Sequence, residues 1–263
     1  MIRKNKKQIS LALSGSGFKF PAHVGALSAL LDNDYQIMEI AGTSGGSVIG
    51  ALYASGLSVS DMKEITFKTD FTFAMKKRIW GFWHGICSSD PLLNWLENIT
   101  GRKLCSESLI PYKAISTNIS DNATTVFGTF ETPTISLALA SVYSSSIPFI
   151  YPYKEYGGKL HSDGGLRNNI PISHLNGQYR KVGILLESNS EPISNPSIIK
   201  FAGRCIDIML SANEGTKEEL AEALGADIIG VPTCGVGMLD SNLSLDKRKE
   251  LFESGYTSVT SQL

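Results

Sequence analysis

Hydrophobic and polar positions change period along this chain, from short apolar runs to runs with helical spacing. The apolar runs predict strands over residues 8–14, 37–41, 112–120, 124–130, 181–187 and 227–232. The helical spacing predicts helices over residues 22–31, 47–55, 90–99, 134–145, 197–213, 217–224 and 245–258. Alternating strands and helices are typical of an α/β fold with a mostly parallel central sheet between two helical layers, a three-layer α/β/α arrangement.

The 263 residues contain no convincing linker and no repeat, so we expect a single domain over 1–263. Hydrophobic residues make up 42% of the chain, enough for a sizeable core. The net charge of −1 argues against nucleic acid as the main partner. Oligomeric state is left open by the sequence.

The segments that could direct the chain to a membrane or an export route are short. No apolar run approaches the roughly 20 residues that a membrane-spanning helix needs. The basic cluster before residue 8 is followed by too short an apolar run for a signal peptide. Four scattered cysteines lack metal-ligand spacing, which suits reduced thiols. We therefore expect a cytoplasmic protein, either free or peripheral at a membrane.

A Gly-x-Ser-x-Gly pattern, Gly42 to Gly46, lies between a predicted strand and a predicted helix. This is the context of a nucleophile elbow, in which a strained turn presents the central serine, here Ser44. Gly42 and Gly46 would let the strand and the helix approach closely. The pattern alone is weak, and a tight glycine-rich turn without chemistry is the alternative.

A second glycine-rich loop, Ser14-Gly15-Ser16-Gly17-Phe18-Lys19-Phe20, follows the first predicted strand. A nucleotide-binding interpretation fails because the third glycine of a dinucleotide fingerprint and the Gly-Lys-Ser/Thr of a P-loop are both missing. Backbone N–H groups beside Lys19 would instead form an oxyanion hole for Ser44, provided that the two strands are neighbours. The alternative is a plain turn with a solvated lysine.

A serine hydroxyl needs a base, and the chain offers four histidines and a well-placed aspartate. The histidines are His23, His84, His161 and His174. Only His174 follows Asp163, in the order Ser…Asp…His, and eleven residues are too few for a parallel crossover. A direct Ser44–Asp163 dyad is simpler, with Gly164 and Gly165 giving a tight backbone beside the acid. An ordinary Asp-Gly turn is the alternative.

All three tryptophans and three other aromatic residues fall within Phe71–Trp95, interleaved with Lys76, Lys77 and Arg78. Amphipathic aromatic side chains beside basic ones suit a water–lipid interface. One interpretation is therefore a lid or a peripheral membrane contact. The other is a small satellite core under a long loop, with the lysines in water.

Four blocks of the chain, taken together and in order, resemble the patatin-like phospholipase family. Residues 11–19 resemble its glycine-rich oxyanion block, and Gly42-Thr43-Ser44-Gly45-Gly46-Ser47 resembles its nucleophile block. Ser145-Ser146-Ile147-Pro148 resembles a third block. Asp163-Gly164-Gly165, followed by Asn168-Asn169-Ile170-Pro171, resembles the fourth. Each block is weak alone, but four in the family's order form a strong signal.

The resemblance implies a patatin-like fold and hydrolysis of phospholipids or other lipid esters by a Ser44–Asp163 dyad, through an acyl-enzyme intermediate. It implies no metal or other cofactor, and it places the oxyanion on the N–H groups of Gly15, Ser16 and Gly17. Three positions depart from the family pattern: Ser16 replaces glycine, Lys19 arginine and Phe20 glycine. These departures affect expectations of rate and substrate more than of chemistry.

Two other functions remain open at this point. The first is a non-catalytic or activator-dependent lipid-binding protein on the same fold, which the changes at Ser16 and Phe20 favour. The second is a serine acyltransferase, which would need a well-placed histidine base and an arginine for an acidic substrate. Head group, acyl length and ester position depend on pocket shape.

Overall fold

The computed structural model describes residues 6–78, 84–187, 192, 194, 196–212 and 217–263. Its strands are β1 Lys7–Leu13, β2 Tyr35–Thr43, β3 Tyr112–Asn118, β4 Ala123–Gly128, β5 Lys154–Tyr156, β6 Lys159–Asp163, β7 Arg180–Glu187 and β8 Asp227–Pro232. Its helices are α1 Pro21–Asp32, α2 Gly45–Ala54, α3 Val59–Lys68, α4 Asp90–Thr100, α5 Leu137–Ser144, α6 Ile198–Ala212, α7 Lys217–Leu224 and α8 Leu245–Gln262.

The eight strands form one mixed sheet in the order β5-β6-β3-β2-β1-β7-β8, with β4 also paired to β3. Strands β3, β2, β1, β7 and β8 run parallel. Strands β4 and β6 pair antiparallel with β3, and β5 pairs antiparallel with β6. The expected mostly parallel α/β sheet is confirmed, with an antiparallel portion at one side.

The two faces of the sheet have separate cores because successive side chains of a strand point to opposite sides. Leu11, Leu13 and Ile40 face the large core, which α1, α2, α5 and α8 complete. Ala12 and Ala41 face a smaller core beneath residues 170–175 and the region of α7. Among the described residues, no helix is long and apolar enough to cross a membrane.

The ends of the helices follow local capping chemistry. Ser58, Ser136 and Ser244 accept the N–H of the third residue of α3, α5 and α8 respectively. Pro91 occupies the first turn of α4, where its missing N–H costs nothing, and Gly101 ends that helix in a left-handed conformation. These caps explain why most predicted boundaries lie within a few residues of the observed ones.

One pairing pattern determines where the site forms. Strand β4 occupies one edge of β3 along residues 113–118, so β2 and β6 share the other edge. Thr43, the last residue of β2, lies opposite Ile115, and Asp163, the last residue of β6, lies opposite Ser116. The two strands therefore run toward each other and deliver their ends to adjacent positions of β3.

Candidate active site

Ser44 occupies the turn between β2 and α2 with φ 51° and ψ −125°, a conformation that an L residue adopts only under strain. Such strain costs on the order of 1–3 kcal/mol and persists only where the surroundings enforce it. Here the Ser44 N–H donates to Ser144 Oγ at 2.8 Å, and Ser144 Oγ donates to the Ile115 carbonyl at 2.5 Å. The hydroxyl of α5 therefore helps to hold the strained turn.

The strand and the helix around Ser44 approach each other where glycines leave room. A Cβ on Gly42 would lie 2.5 Å from the carbonyl carbon of Gly46. A Cβ on Gly46 would lie 2.4 Å from the carbonyl oxygen of Ser14, in the neighbouring loop. Neither position has space for a side chain, so α2 packs against β1 and β2 at backbone distance.

Asp163 is buried at the end of β6, beside Ser44. Its Oδ1 accepts the Gly165 N–H at 2.8 Å. A Cβ on Gly164 would lie only 2.0 Å from the Ile115 carbonyl oxygen, so glycine is needed there for the turn to pack against β3. Asp163 Oδ2 is buried and has no hydrogen-bond partner among the described residues.

Burial raises the pKa of Asp163 to about 6, and the Ser44 hydroxyl and the Gly165 N–H only partly oppose that shift. The Ser44 hydroxyl thus lies close enough to influence the carboxyl, although Oδ2 has no completed hydrogen bond. Contacts of this kind are often long in free enzymes and shorten when substrate binds. A carboxylate with an unoccupied oxygen and a pKa near 6 can accept a proton at neutral pH.

The loop before α1 lies against the serine. A Cβ on Gly15 would lie 3.7 Å from Ser44 Cβ. Ser16 has φ −137°, so it does not need glycine's freedom, whereas Gly17 has φ +53°. The replacement of glycine at position 16 therefore leaves the loop conformation accessible.

The three N–H groups expected to hold the oxyanion are not equivalent. The Gly15 N–H donates to Asn169, to its carbonyl oxygen at 3.0 Å and to its Oδ1 at 3.1 Å. The Ser16 and Gly17 N–H groups have no such bond to a described residue. The expectation for Gly15 thus meets a competing acceptor, Asn169, and the other two groups are the available donors.

Lys19 is buried, so the alternative of a plain turn with a solvated lysine is wrong. Its side chain is 3% exposed, and its Nζ lies 3.9 Å from Oδ1 of Asp207 in α6. Burial raises the pKa of Asp207, and the charge of Lys19 opposes that shift. The lysine links the loop to α6, and its charge is directed there.

A small apolar pocket, with a cavity volume of about 40 Å³ and a mouth open to solvent, lies beside Ser44. Its walls are mostly hydrophobic and are formed by Gly17, Phe18, Phe20, Gly45, Val48, Phe71, Leu92, Trp95, Ser145, Ile147 and Tyr151. Phe71 packs edge-to-face on Phe20 at 4.8 Å and on Trp95 at 5.3 Å between ring centroids. This lining suits an apolar ligand group.

Both ends of the aromatic stretch Phe71–Trp95 therefore pack against the interior of the protein. Phe71 is buried, and Phe73 and Trp95 pack against the large core. Trp80, Phe82 and Trp83, on which the membrane interpretation depended most, lie outside the described residues. For the described aromatic residues, the wall of a pocket and a satellite of the core is the better description.

The histidines take other roles. His23 is fully buried with Nε2 2.9 Å from the Ser14 carbonyl oxygen, and burial lowers its pKa to about 4. His161 packs among Phe127, Tyr143 and Tyr156, and His84 packs on Tyr153. The His174 carbonyl oxygen accepts a hydrogen bond from the Lys113 ammonium group. Within the described part of the chain, no histidine is hydrogen-bonded to Ser44 or Asp163.

Four residues near the site were not assigned a role from the sequence: Ser144, Ser145, Asn169 and Asp207. Ser144 accepts the Ser44 N–H and Asn169 accepts the Gly15 N–H, as described above. The Ser145 hydroxyl lines the pocket, is buried and has no partner among the described residues. The signal for Asp207 was a lone carboxylate in an apolar helix. Ser145 and Asn169 lay within segments noted for resemblance, and Ser144 lay within a predicted helix. The described residues also contain no cluster of three or more potential metal ligands.

Comparison with known families gives a match over residues 11–175 to the patatin-like phospholipase model. A protein of Acanthamoeba polyphaga mimivirus is 30% identical over 97% of this chain and 93% of its own length. The lysophospholipase NTE1 of Debaryomyces hansenii is 25% identical over 71% of this chain, which corresponds to only 12% of that protein.

Solved structures with the same fold include two larger bacterial proteins. VipD of Legionella pneumophila aligns with a TM-score of 0.64 and 15% identity, over 98% of this chain and 67% of that one. The type III effector ExoU aligns with a TM-score of 0.57 and 12% identity, over 98% of this chain and 53% of that one. At these identities the likeness concerns the fold.

Proposed function

Because the chain belongs to the patatin-like phospholipase family, a family of lipid hydrolases, we propose that it is a serine lipid acyl hydrolase with Ser44 as nucleophile and Asp163 as base. The observation that carries the proposal is the strained Ser44 beside a buried carboxylate whose pKa is raised to about 6. The apolar lining of the pocket beside the serine supports an ester with an apolar acyl group as substrate.

In the first half of the reaction, Ser44 Oγ attacks the ester carbonyl carbon while Asp163 takes the hydroxyl proton. The tetrahedral oxyanion accepts hydrogen bonds from the N–H groups of Ser16 and Gly17. Collapse breaks the ester C–O bond, and Asp163 gives the proton to the departing alcohol. This leaves the acyl group on Ser44. A positioned general base typically contributes about 10²–10⁴ in rate, and one oxyanion donor about 10²–10³.

In the second half, a water molecule attacks the acyl-serine carbonyl and Asp163 takes the proton of that water. The same N–H groups hold the second oxyanion. Collapse releases the fatty acid and returns the proton from Asp163 to Ser44 Oγ, so the site is regenerated. The strain at Ser44 favours this cycle because it keeps the hydroxyl at the pocket instead of within the sheet.

A second candidate is a lipid-binding protein that turns over only after an activating rearrangement. Two observations favour it: the Gly15 N–H is held by Asn169, and Asp163 Oδ2 has no completed hydrogen bond. In this alternative the pocket binds a lipid, and Ser44 and Asp163 become active only after the rearrangement.

The deciding experiment measures fatty-acid release from mixed phospholipid vesicles without added metal, for wild type and four variants. We expect Ser44→Ala and Asp163→Asn each to lose more than about 10³-fold in kcat/KM. We expect His161→Ala and His174→Ala to keep it within about threefold if they fold.

An equal loss of kcat/KM in either histidine variant would show that the site is a catalytic triad and not a dyad. No release by folded wild type, on vesicles or on soluble esters, would favour the lipid-binding candidate. Circular dichroism and thermal melting confirm that each variant is folded.

A further inference from the structure

The helix α6 exposes apolar side chains where a surface helix usually exposes polar ones. Ile198, Phe201, Ile208 and Met209 are between 51% and 74% exposed. At about 100° per residue, their spacings of three, seven and eleven residues place them on one side of the helix. We call these four residues the α6 stripe.

The opposite side of α6 faces the catalytic region. Ile206 belongs to a buried cluster with Ile147, Tyr151 and Met238, and the first two of these line the acyl pocket. Asp207 lies beside Lys19 of the oxyanion loop. The stripe is therefore the outer surface of an element whose inner surface supports the site.

A further exposed apolar residue lies in the loop whose Ile147 and Tyr151 pack against Ile206 of α6. Phe149 is 77% exposed and has φ +67°, although it is not glycine. It stands between Ile147 and Tyr151, so the pocket wall and this exposed tip belong to one short loop. A bulky residue kept in a strained conformation and turned to solvent suggests a function outside the fold.

The charges around the stripe indicate what covers it. Lys200 is exposed and Arg204 half-buried on one flank of the stripe, and both line a surface groove together with Lys77. The two acidic residues of that groove differ in position: Asp207 is buried against Lys19, and Asp240 accepts the Gly237 N–H. An apolar stripe with cations along its flank is complementary to acyl chains below anionic head groups.

We propose that the α6 stripe and Phe149 form a docking face for the surface of an anionic phospholipid bilayer. The choice of a lipid surface over a protein partner rests on this charge pattern and on the proposed function, which needs substrate from a lipid aggregate. Docking by this face sets the helix that supports the oxyanion loop against the bilayer, so that an acyl chain can enter the pocket without crossing bulk water.

The test measures binding in the Ser44→Ala background, so that its outcome does not depend on hydrolysis. The probe is flotation with vesicles of equimolar phosphatidylcholine and phosphatidylglycerol. The docking variant is Phe201→Ser with Ile208→Ser. Its matched control is Leu109→Ser with Phe130→Ser, two side chains that are 70% and 67% exposed. Leu109 lies at the end of α2, and Phe130 follows Thr129, which pairs with the start of β3.

We expect the docking variant to bind vesicles at least about tenfold more weakly and the control to bind like the parent. We also expect Lys200→Gln to weaken binding about fivefold on the mixed vesicles but not on pure phosphatidylcholine. Lys249→Gln on α8, another exposed lysine, is its control and leaves binding unchanged. Melting temperatures equal to that of the parent show that the variants are folded.

Three results would overturn the proposal: no flotation of the parent protein, equal loss in both double variants, or a parent dimer in light scattering that only the docking variant dissociates. The last would assign the stripe to a second copy of the chain. Vesicle binding together with absence of hydrolysis by wild type would overturn the proposed function and leave the docking face standing.

Discussion

Asp163 combines two properties that usually exclude each other in a carboxylate. It is buried, which disfavours its charged form, and it has one oxygen with no partner among the described residues. Burial without compensation is costly for stability, but it also makes the carboxylate a better proton acceptor. At the scale of the residue, the site gives up stability for basicity.

This property predicts how activity depends on pH. If Asp163 must be ionised to take the Ser44 proton, kcat/KM on a neutral soluble ester falls about tenfold per pH unit below a pKa of about 6. The measurement is a pH–rate profile at substrate concentrations far below KM. His161→Ala is the control and leaves the position of the limb unchanged. A limb near the ordinary pKa of a solvated aspartate would contradict the raised value.

At the scale of the element, the junction of β2 and α2 depends on contact between backbones. Gly46 faces the carbonyl groups of Leu13 and Ser14, and Gly42 faces Gly46 itself. The loop whose N–H groups we propose as oxyanion donors continues from β1. The distance between α2 and β1 therefore also sets the distance between Ser44 and those donors.

Gly46→Ala tests this contact. The new Cβ would lie 2.4 Å from the Ser14 oxygen, a backbone atom that cannot rotate away. We expect a loss of about 1–3 kcal/mol in the free energy of unfolding and a fall in kcat, measured by urea denaturation and ester hydrolysis. Gly177→Ala is the matched control, because a Cβ there meets nothing within 4 Å. Equal stability of the two variants would show that α2 can shift freely.

The elements were more predictable from the sequence than their contacts. The predicted β1, α1, β7 and β8 lie within one residue of the observed ones, because apolar period and capping are local signals. The short antiparallel β5, by contrast, falls in a stretch rich in proline and aromatic residues that indicated only extended chain. A three-residue edge strand forms because it pairs with a neighbouring strand, and the local sequence pattern does not identify that neighbour.

The contacts that shape the site join distant parts of the chain. Asn169 reaches Gly15 across 154 positions, and Ser144 reaches Ser44 across 100. Lys19 and Asp207 are likewise far apart in sequence. Residue types singled out Ser44 and Asp163 as candidates, since the motifs around them are distinctive. Asparagine, serine and a lone aspartate are common, so their roles appeared only with the fold.

At the scale of the whole molecule, two buried groups make opposite contributions to stability. Burial raises the pKa of Asp163 to about 6, so folding is favoured when the carboxyl is protonated and loses stability as pH rises from about 4 to 6. Burial lowers the pKa of His23 to about 4, so folding loses stability as pH falls from about 6.5 to 4. The two contributions largely offset each other across this range.

Asp163→Asn removes one side of this balance. At about pH 8 we expect the variant to be more stable than wild type by about 1–3 kcal/mol, with the difference disappearing near pH 4. Between these limits its stability falls more steeply with acid than that of wild type, because the His23 contribution is no longer offset. Urea denaturation across the pH range measures both curves. A variant less stable than wild type at neutral pH would show that the buried charge is compensated.

The meeting of β2 and β6 on one edge of β3 has a consequence for how such a protein can change. Ser44 and Asp163 are aligned by a few rungs of one strand, whereas part of the pocket wall, Phe71, Leu92 and Trp95, comes from the chain between α3 and β3. Lengthening or replacing the chain between α3 and β3 leaves those rungs intact. The proposed reaction centre and this part of the pocket wall can therefore change separately, and a different lining can arise by exchanging that segment while Ser44 and Asp163 stay in place.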